Sequence, residues 1–183
     1  MGRDDALSLL HEYTASEGLR AHAYAVEAAM RAYARRLGGD EELWGIVGLL
    51  HDFDYERFPT LADHPFRGAE ILRQHGWPEE IVAGCLAHAP LTGVPRDTPL
   101  RRAIFAVDEL TGLITAVALV RPSKKIADVE VKSVRKKMKN KAFAAAVSRE
   151  DIGLGAQEMG LPLEEHIGVV LGAMQGVAHQ LGL

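Results

Sequence analysis

Leu19, Ala23, Val26, Met30, Tyr33 and Leu37 advance by steps of four and three residues. That step lines up one face of an α-helix. The 2-residue alternation rich in Val, Ile and Thr that marks strands is scarce along the chain. The residue supply agrees, with 26 Ala and 22 Leu, both strong helix formers, among 183 residues. The chain must therefore bury helical stripes against one another, and an all-α bundle of about seven to nine helices is expected. With 48% hydrophobic and 25% charged residues, it has enough apolar surface for a core.

The boundaries follow from local chemistry. Gly38-Gly39 ends the first stripe, and Asp40 can cap the next helix, which runs through Leu43, Ile46, Val47 and Leu50. An aromatic and charged loop follows from Phe53 to Asp63. Further helices are expected from near His64-Pro65 to Gly76 and from Pro78 to about His88. A long apolar helix from Thr98 to Val120 should form the centre of the core, broken by Pro122. Ser148 with Asp151 fits a capping box, and a last helix should run from about Pro162 to Gln180. The whole of 1–183 reads as one domain, with a core over about 19–120, a basic segment over 121–149 and C-terminal helices over 150–183.

Several classes are excluded. The single cysteine, Cys85, allows no intrachain disulfide, so a disulfide-built secreted scaffold is ruled out. It shares a face with Ile81 and reads as a small core residue. Apolar runs such as Leu113 to Val120 fall far short of the ~20 residues that span a bilayer. Arg3, Asp4 and Asp5 do not open a signal peptide, so a cytoplasmic protein with no membrane partner is expected.

Eight histidines stand beside that one cysteine. His22 lies three after Leu19 and four before Val26; His51 lies four after Val47; His88 lies seven after Ile81. All three face inward on their stripes, and His64 stands where the next helix begins. Asp108 is embedded in Ile104-Phe105-Ala106-Val107-Asp108-Glu109-Leu110. A lone inward histidine is usually a hydrogen-bonded core residue, and a carboxylate in an apolar helix is costly. Taken together, inward imidazoles and carboxylates offset each other's burial cost if they bind a metal ion. His51-Asp52 can both reach one ion only where their helix ends, since helical neighbours diverge by about 100°.

These residues resemble the HD superfamily of metal-dependent phosphohydrolases. Its pattern is a His on one helix, a His-Asp pair ending a later helix, and a final Asp on a long helix. Here those are His22, His51-Asp52 and Asp108. His64-Pro65-Phe66-Arg67-Gly68-Ala69-Glu70-Ile71-Leu72 is similar to the His-Pro-x-x-Gly-x-x-Ile-Leu stretch of the two-metal branch, and His88 falls where that branch has another histidine. Phe53-Asp54 replaces that branch's Ile-Gly-Lys, and no Gly-Tyr-Pro element follows His88, so its cyclic-dinucleotide substrate is not implied. The resemblance implies His22, His51, Asp52 and Asp108 around one ion. It places Asp52 as a bridge to a second ion held by His64 and His88, with His51 and Asp52 as the catalytic pair. Such a donor set favours Mn, Fe, Ni, Co or Zn over Mg. The implied activity is hydrolysis of a small phosphoester, a nucleotide among the candidates. A di-iron oxygenase and a non-catalytic metal-binding module are the alternatives.

The net charge of −4 divides unevenly. Residues 121–149 carry ten basic and two acidic side chains, net +8, which leaves −12 on the rest. A solvated helix face is one reading and an anionic partner the other. Arg121, Lys132 and Lys136 are candidates to hold a substrate phosphate. No aromatic lies between Arg121 and Ala142, so a base-stacking platform is missing and nucleic acid is not the expected partner. A homodimer is compatible with the chain, though nothing in it requires one. His11, His166 and His179 read as surface or partly buried positions, His75 as a helix C-terminus. Asp54, Glu56 and Asp63 lie in the loop beside the site; support of the ligands or a general acid is one reading, and a solvated loop is the expected one.

Overall fold

Ten α-helices carry the chain: α1 (Arg3–Tyr13), α2 (Glu17–Leu37), α3 (Glu41–Leu50), α4 (Phe66–Gln74), α5 (Glu79–Leu86), α6 (Pro99–Leu119), α7 (Val131–Met138), α8 (Arg149–Glu158), α9 (Leu163–Gly176) and α10 (Ala178–Leu181). The computed structural model describes all 183 residues and contains no strand. The all-α expectation holds, and ten helices replace the expected seven to nine for two reasons. The N-terminal residues form α1. The last helix divides at Val177, whose backbone leaves the helical region at φ −122°, ψ 21°.

The caps explain the boundaries. Asp40 accepts from the Glu42 and Leu43 amides, Ser148 from Asp151, Ser16 from Leu19 and Thr98 from Arg101. Helix α2 packs against α3, α6 and α9, and α6 in turn packs against α2, α8 and α9. Forty-two buried apolar residues from Ala6 to Leu181 form one continuous cluster between them. Two glycines set how closely these helices approach. A Cβ on Gly48 of α3 would stand 2.8 Å from the Glu27 Cα of α2, and one on Gly155 of α8 would stand 2.6 Å from the Ala106 Cα of α6.

His166 departs from its expected surface or partly buried position. It is fully buried, accepts from the Tyr33 hydroxyl through Nδ1 at 2.5 Å and donates through Nε2 to the Ala106 carbonyl at 2.9 Å. Burial holds its pKa down, so it is a neutral bolt joining α9 to α2 and α6. No helix is long and apolar enough to cross a membrane.

Candidate metal centre

Helix α3 ends at Leu50 because a run of buried apolar residues meets a polar turn. His51 caps that end, and Asp52 is already outside the regular helix. Neighbouring side chains that would diverge on a helix therefore converge here. The turn brings His64 in just ahead of α4, and the turn after α5 brings in His88. Helices α2 and α6 cross so that His22 meets Asp108, with His22 Nε2 3.0 Å from Asp108 Oδ1.

Two groups form. His22, His51 and Asp108 each offer a ligand atom within 4.8 Å of the others, and so do Asp52, His64 and His88. Asp52 lies between them. Its Oδ1 is 3.1 Å from His64 Nε2 and 3.2 Å from His88 Nε2, while its Oδ2 faces His51 Nε2 at 3.6 Å. His51 Nε2 also lies 3.5 Å from Asp108 Oδ1. The His51 side chain is wholly buried at the floor, while Asp52 and Asp108 keep 23% and 19% of their side-chain surface open at the rim. His22 keeps 23% open as well, so a ligand arriving from solvent meets these two carboxylates and the His22 imidazole at the rim.

Each histidine has Nδ1 engaged elsewhere. His51 Nδ1 donates to the Gly48 carbonyl at 2.8 Å and His88 Nδ1 to the Cys85 carbonyl at 2.6 Å. His64 Nδ1 donates to Asp54 Oδ1 at 2.8 Å, and His22 Nδ1 lies 3.4 Å from the Thr111 hydroxyl. An occupied Nδ1 leaves Nε2 as the electron-pair donor. All four Nε2 atoms are then aimed at the two groups. Those of His64 and His88 stand 3.3 Å apart, and that of His51 is buried without a hydrogen-bond partner. Opposed lone pairs and an orphaned buried nitrogen are unfavourable unless a cation lies between them. The residues fit divalent metal ions.

Without metal, protons take up part of that task. Burial lowers the pKa of His64, and its hydrogen bonds to Asp52 and Asp54 more than reverse this, raising it to about 9. His51 and His88 are likewise raised against their burial, chiefly by Asp52. Burial would raise Asp52 and Asp108, but the surrounding histidines, His51 foremost, hold both below the usual carboxylate range. A raised imidazole stabilises the fold fully below its unfolded pKa of ~6.5, and that contribution is lost as pH climbs through the folded value. A depressed carboxylate stabilises above ~3.9 and loses its contribution as pH falls. Protein kept in chelator should thus be most stable between about pH 4 and 6.5 and melt earlier as pH rises to about 9. Added Mn should raise the melting temperature more at pH 8.5 than at pH 6, because the ion needs neutral imidazoles. Thermal melts across pH with and without Mn check both trends.

Asp54, expected in a solvated loop, is 1% exposed. Besides its bond to His64, its Oδ2 accepts from the Gly68 amide at 2.8 Å. A Cβ on Gly68 would stand 2.8 Å from the Asp54 carboxyl carbon, so a glycine is needed there. Asp54 thereby orients the imidazole of His64. Asp54→Asn removes the charge and leaves one acceptor for two donors, so an amide NH2 faces either His64 Nδ1 or the Gly68 amide. It should weaken Co(II) binding at the Asp52–His64–His88 position about 10–100-fold. The His22–His51–Asp108 position should change little. A two-step Co(II) absorbance titration separates the two, and equal weakening of both steps would contradict the assignment.

Arg121, Lys132 and Lys136 are not brought to this centre. Arg121 lies 13 positions beyond Asp108, about 20 Å along the axis of α6. Lys136 lines a groove beside Val117 and Val120, and Lys132 is paired with Glu130 at 2.7 Å. Cys85 is buried and its thiol pKa is raised by that burial, consistent with a core residue.

The sequence model of the family described as HD domain matches residues 19–113. That stretch runs from early α2 to the middle of α6 and contains all six donors. No curated protein and no solved structure matches the chain. With the match covering more than half of its length, and the paired His and Asp groups inside it, the chain belongs to the HD domain family.

Proposed function

We propose that this protein is a metal-dependent phosphohydrolase that cleaves a small phosphoester, a nucleotide among the candidates, on two divalent ions. The observation that carries the reading is the position of Asp52, with one oxygen toward His64 and His88 and the other toward His51. A carboxylate so placed would serve both groups of donors. His22, His51, Asp52 and Asp108 would hold one ion, and Asp52, His64 and His88 the other. When bound, such ions supply a water acidified toward neutral pH and a charge that stabilises the transferring phosphoryl group.

The chain's own residues do the positioning. The Gly48 and Cys85 carbonyls fix the rings of His51 and His88. The Thr111 hydroxyl, which donates to the Asp108 carbonyl at 2.8 Å, leaves its lone pairs for His22 Nδ1. Buried His51 closes the floor, so substrate would enter over the open rim of Asp52, Asp108 and His22. Four imidazoles and two carboxylates favour Mn, Fe, Co, Ni or Zn over Mg.

The test joins elemental analysis of protein purified without chelator to a panel of phosphoesters assayed with Mn, Co, Ni, Zn or Mg. About two ions per chain and phosphate release from at least one phosphoester are expected. Two irons with a mixed-valent resonance signal and no phosphate release would overturn the hydrolase reading in favour of an oxygenase. Bound metal with no turnover of either kind would leave a metal-stabilised binding module.

A further inference from the structure

All seven lysines of the chain lie between Lys124 and Lys141. The eleven basic residues outside 121–149 are all arginines, and eight of them (Arg3, Arg31, Arg35, Arg36, Arg67, Arg73, Arg96 and Arg101) are paired with carboxylates. Inside the segment only Lys132 and Arg135, of ten, have a carboxylate partner. Most cations outside the segment are neutralised by a carboxylate, and most inside it are not.

Some of these unpaired charges share a concave surface. Where α7 lies along the end of α6, a groove of about 290 Å³ is lined by Val117, Val120, Arg121, Pro122, Ser133, Lys136 and Lys137. No acidic side chain lines it, and Glu130, just ahead of α7, is turned to Lys132. Arg121 is held in place by a 2.7 Å hydrogen bond from Nη2 to the Ser133 hydroxyl. The Lys137 ammonium is steadied over the Phe143 ring at 4.4 Å. Lys136 has no carboxylate partner. Val117 and half-exposed Val120 supply an apolar wall. Like charges gathered on one groove repel one another, and an anion between them converts that repulsion into charge-assisted hydrogen bonds. Two fixed cations and a free one match the several oxygens of a phosphate better than a single carboxylate.

We propose that this groove is a binding site for a phosphate or polyphosphate group, separate from the metal centre. Val117, the lining residue nearest to Asp108 along α6, is nine positions away, about 14 Å. A single phosphate cannot touch both places. The group therefore belongs either to a free small ligand or to the remote end of a substrate anchored at the metals.

Pyrophosphate added to chelator-treated protein provides the test, followed by amide chemical shifts in about 0.15 M salt, where charges beyond ~8 Å are screened. Saturable 1:1 binding is expected, with shifts confined to the end of α6 and to α7. Lys136→Glu/Lys137→Glu should weaken it at least about ten-fold, equal to about 1.4 kcal/mol. Lys124→Glu/Lys125→Glu makes the same charge change outside the groove and should stay within about two-fold. Shifts spread over the whole basic surface without saturation would overturn the proposal, as would equal loss in both double variants. Repeating the titration on protein preloaded with diamagnetic Zn, using a nucleoside triphosphate, distinguishes the sources. A remote substrate group would shift the His22 and Asp108 amides together with α7, and a free ligand would shift α7 alone. Both metal-dependent patterns require the groove, and shifts at His22 and Asp108 without α7 would overturn it.

Discussion

Asp52→Ala is expected to lower phosphoester hydrolysis by at least about 1000-fold, a loss of roughly 4 kcal/mol of transition-state stabilisation. The size follows from geometry. Asp52 contributes oxygens to both groups of donors, so its removal takes one negative ligand from each position at once. Bound metal should fall from about two ions per chain to one or fewer in elemental analysis. His64 and His88 lose the carboxylate that both face, so the fall in chelator-treated stability toward pH 9 should flatten in the variant. Thermal melts separate a local loss from a collapsed fold. A variant that kept two ions and most of its turnover would remove Asp52 from the chemistry.

Gly48→Ala is expected to cost about 3 kcal/mol of stability, or roughly 6–12 °C in melting temperature. The new methyl would meet backbone on α2, at 2.8 Å from Glu27 Cα and 2.9 Å from its nitrogen, and backbone cannot step aside as a side chain can. Relief requires α2 and α3 to separate. His22 rides on one and His51 ends the other, so the same change should weaken metal at the His22–His51–Asp108 position more than at the second. Gly153→Ala is the control. It meets nothing within 4 Å in α8 and should be neutral or slightly stabilising. Calorimetry together with metal titration of both variants checks the pair of expectations.

Four of the six donors, His22, His51, His88 and Asp108, were legible because each interrupts an apolar stripe, whereas Asp52 and His64 lie off the stripes and were reached through the family resemblance. A histidine or aspartate on an inward stripe carries a burial cost that only a partner offsets, and the residue order alone shows the stripe. Asp54 was not legible, because its burial comes from a turn that folds back onto Gly68, fourteen residues away, and no local period records that. The separation of Arg121 from Asp108 could have been read from helix rise alone, at 1.5 Å per residue over 13 residues. His166 stands four before Val170 and eight before Met174, so its inward place had a signal too. Its satisfaction by Tyr33 and Ala106 did not, because those partners belong to other helices.

The two donor groups close very different lengths of chain. Asp52, His64 and His88 lie within 36 positions of one another, whereas His22 and Asp108 are 86 apart. Joining the longer span costs about 0.8 kcal/mol more in loop-closure entropy, since that cost grows as (3/2)RT ln n. The short-span position needs only the hairpin of α4 and α5 and the end of α3. The long-span position needs α2 docked on α6, which is the assembly of the core itself. During refolding the short-span position should acquire its ion first, and capture of the other should coincide with the final tertiary step.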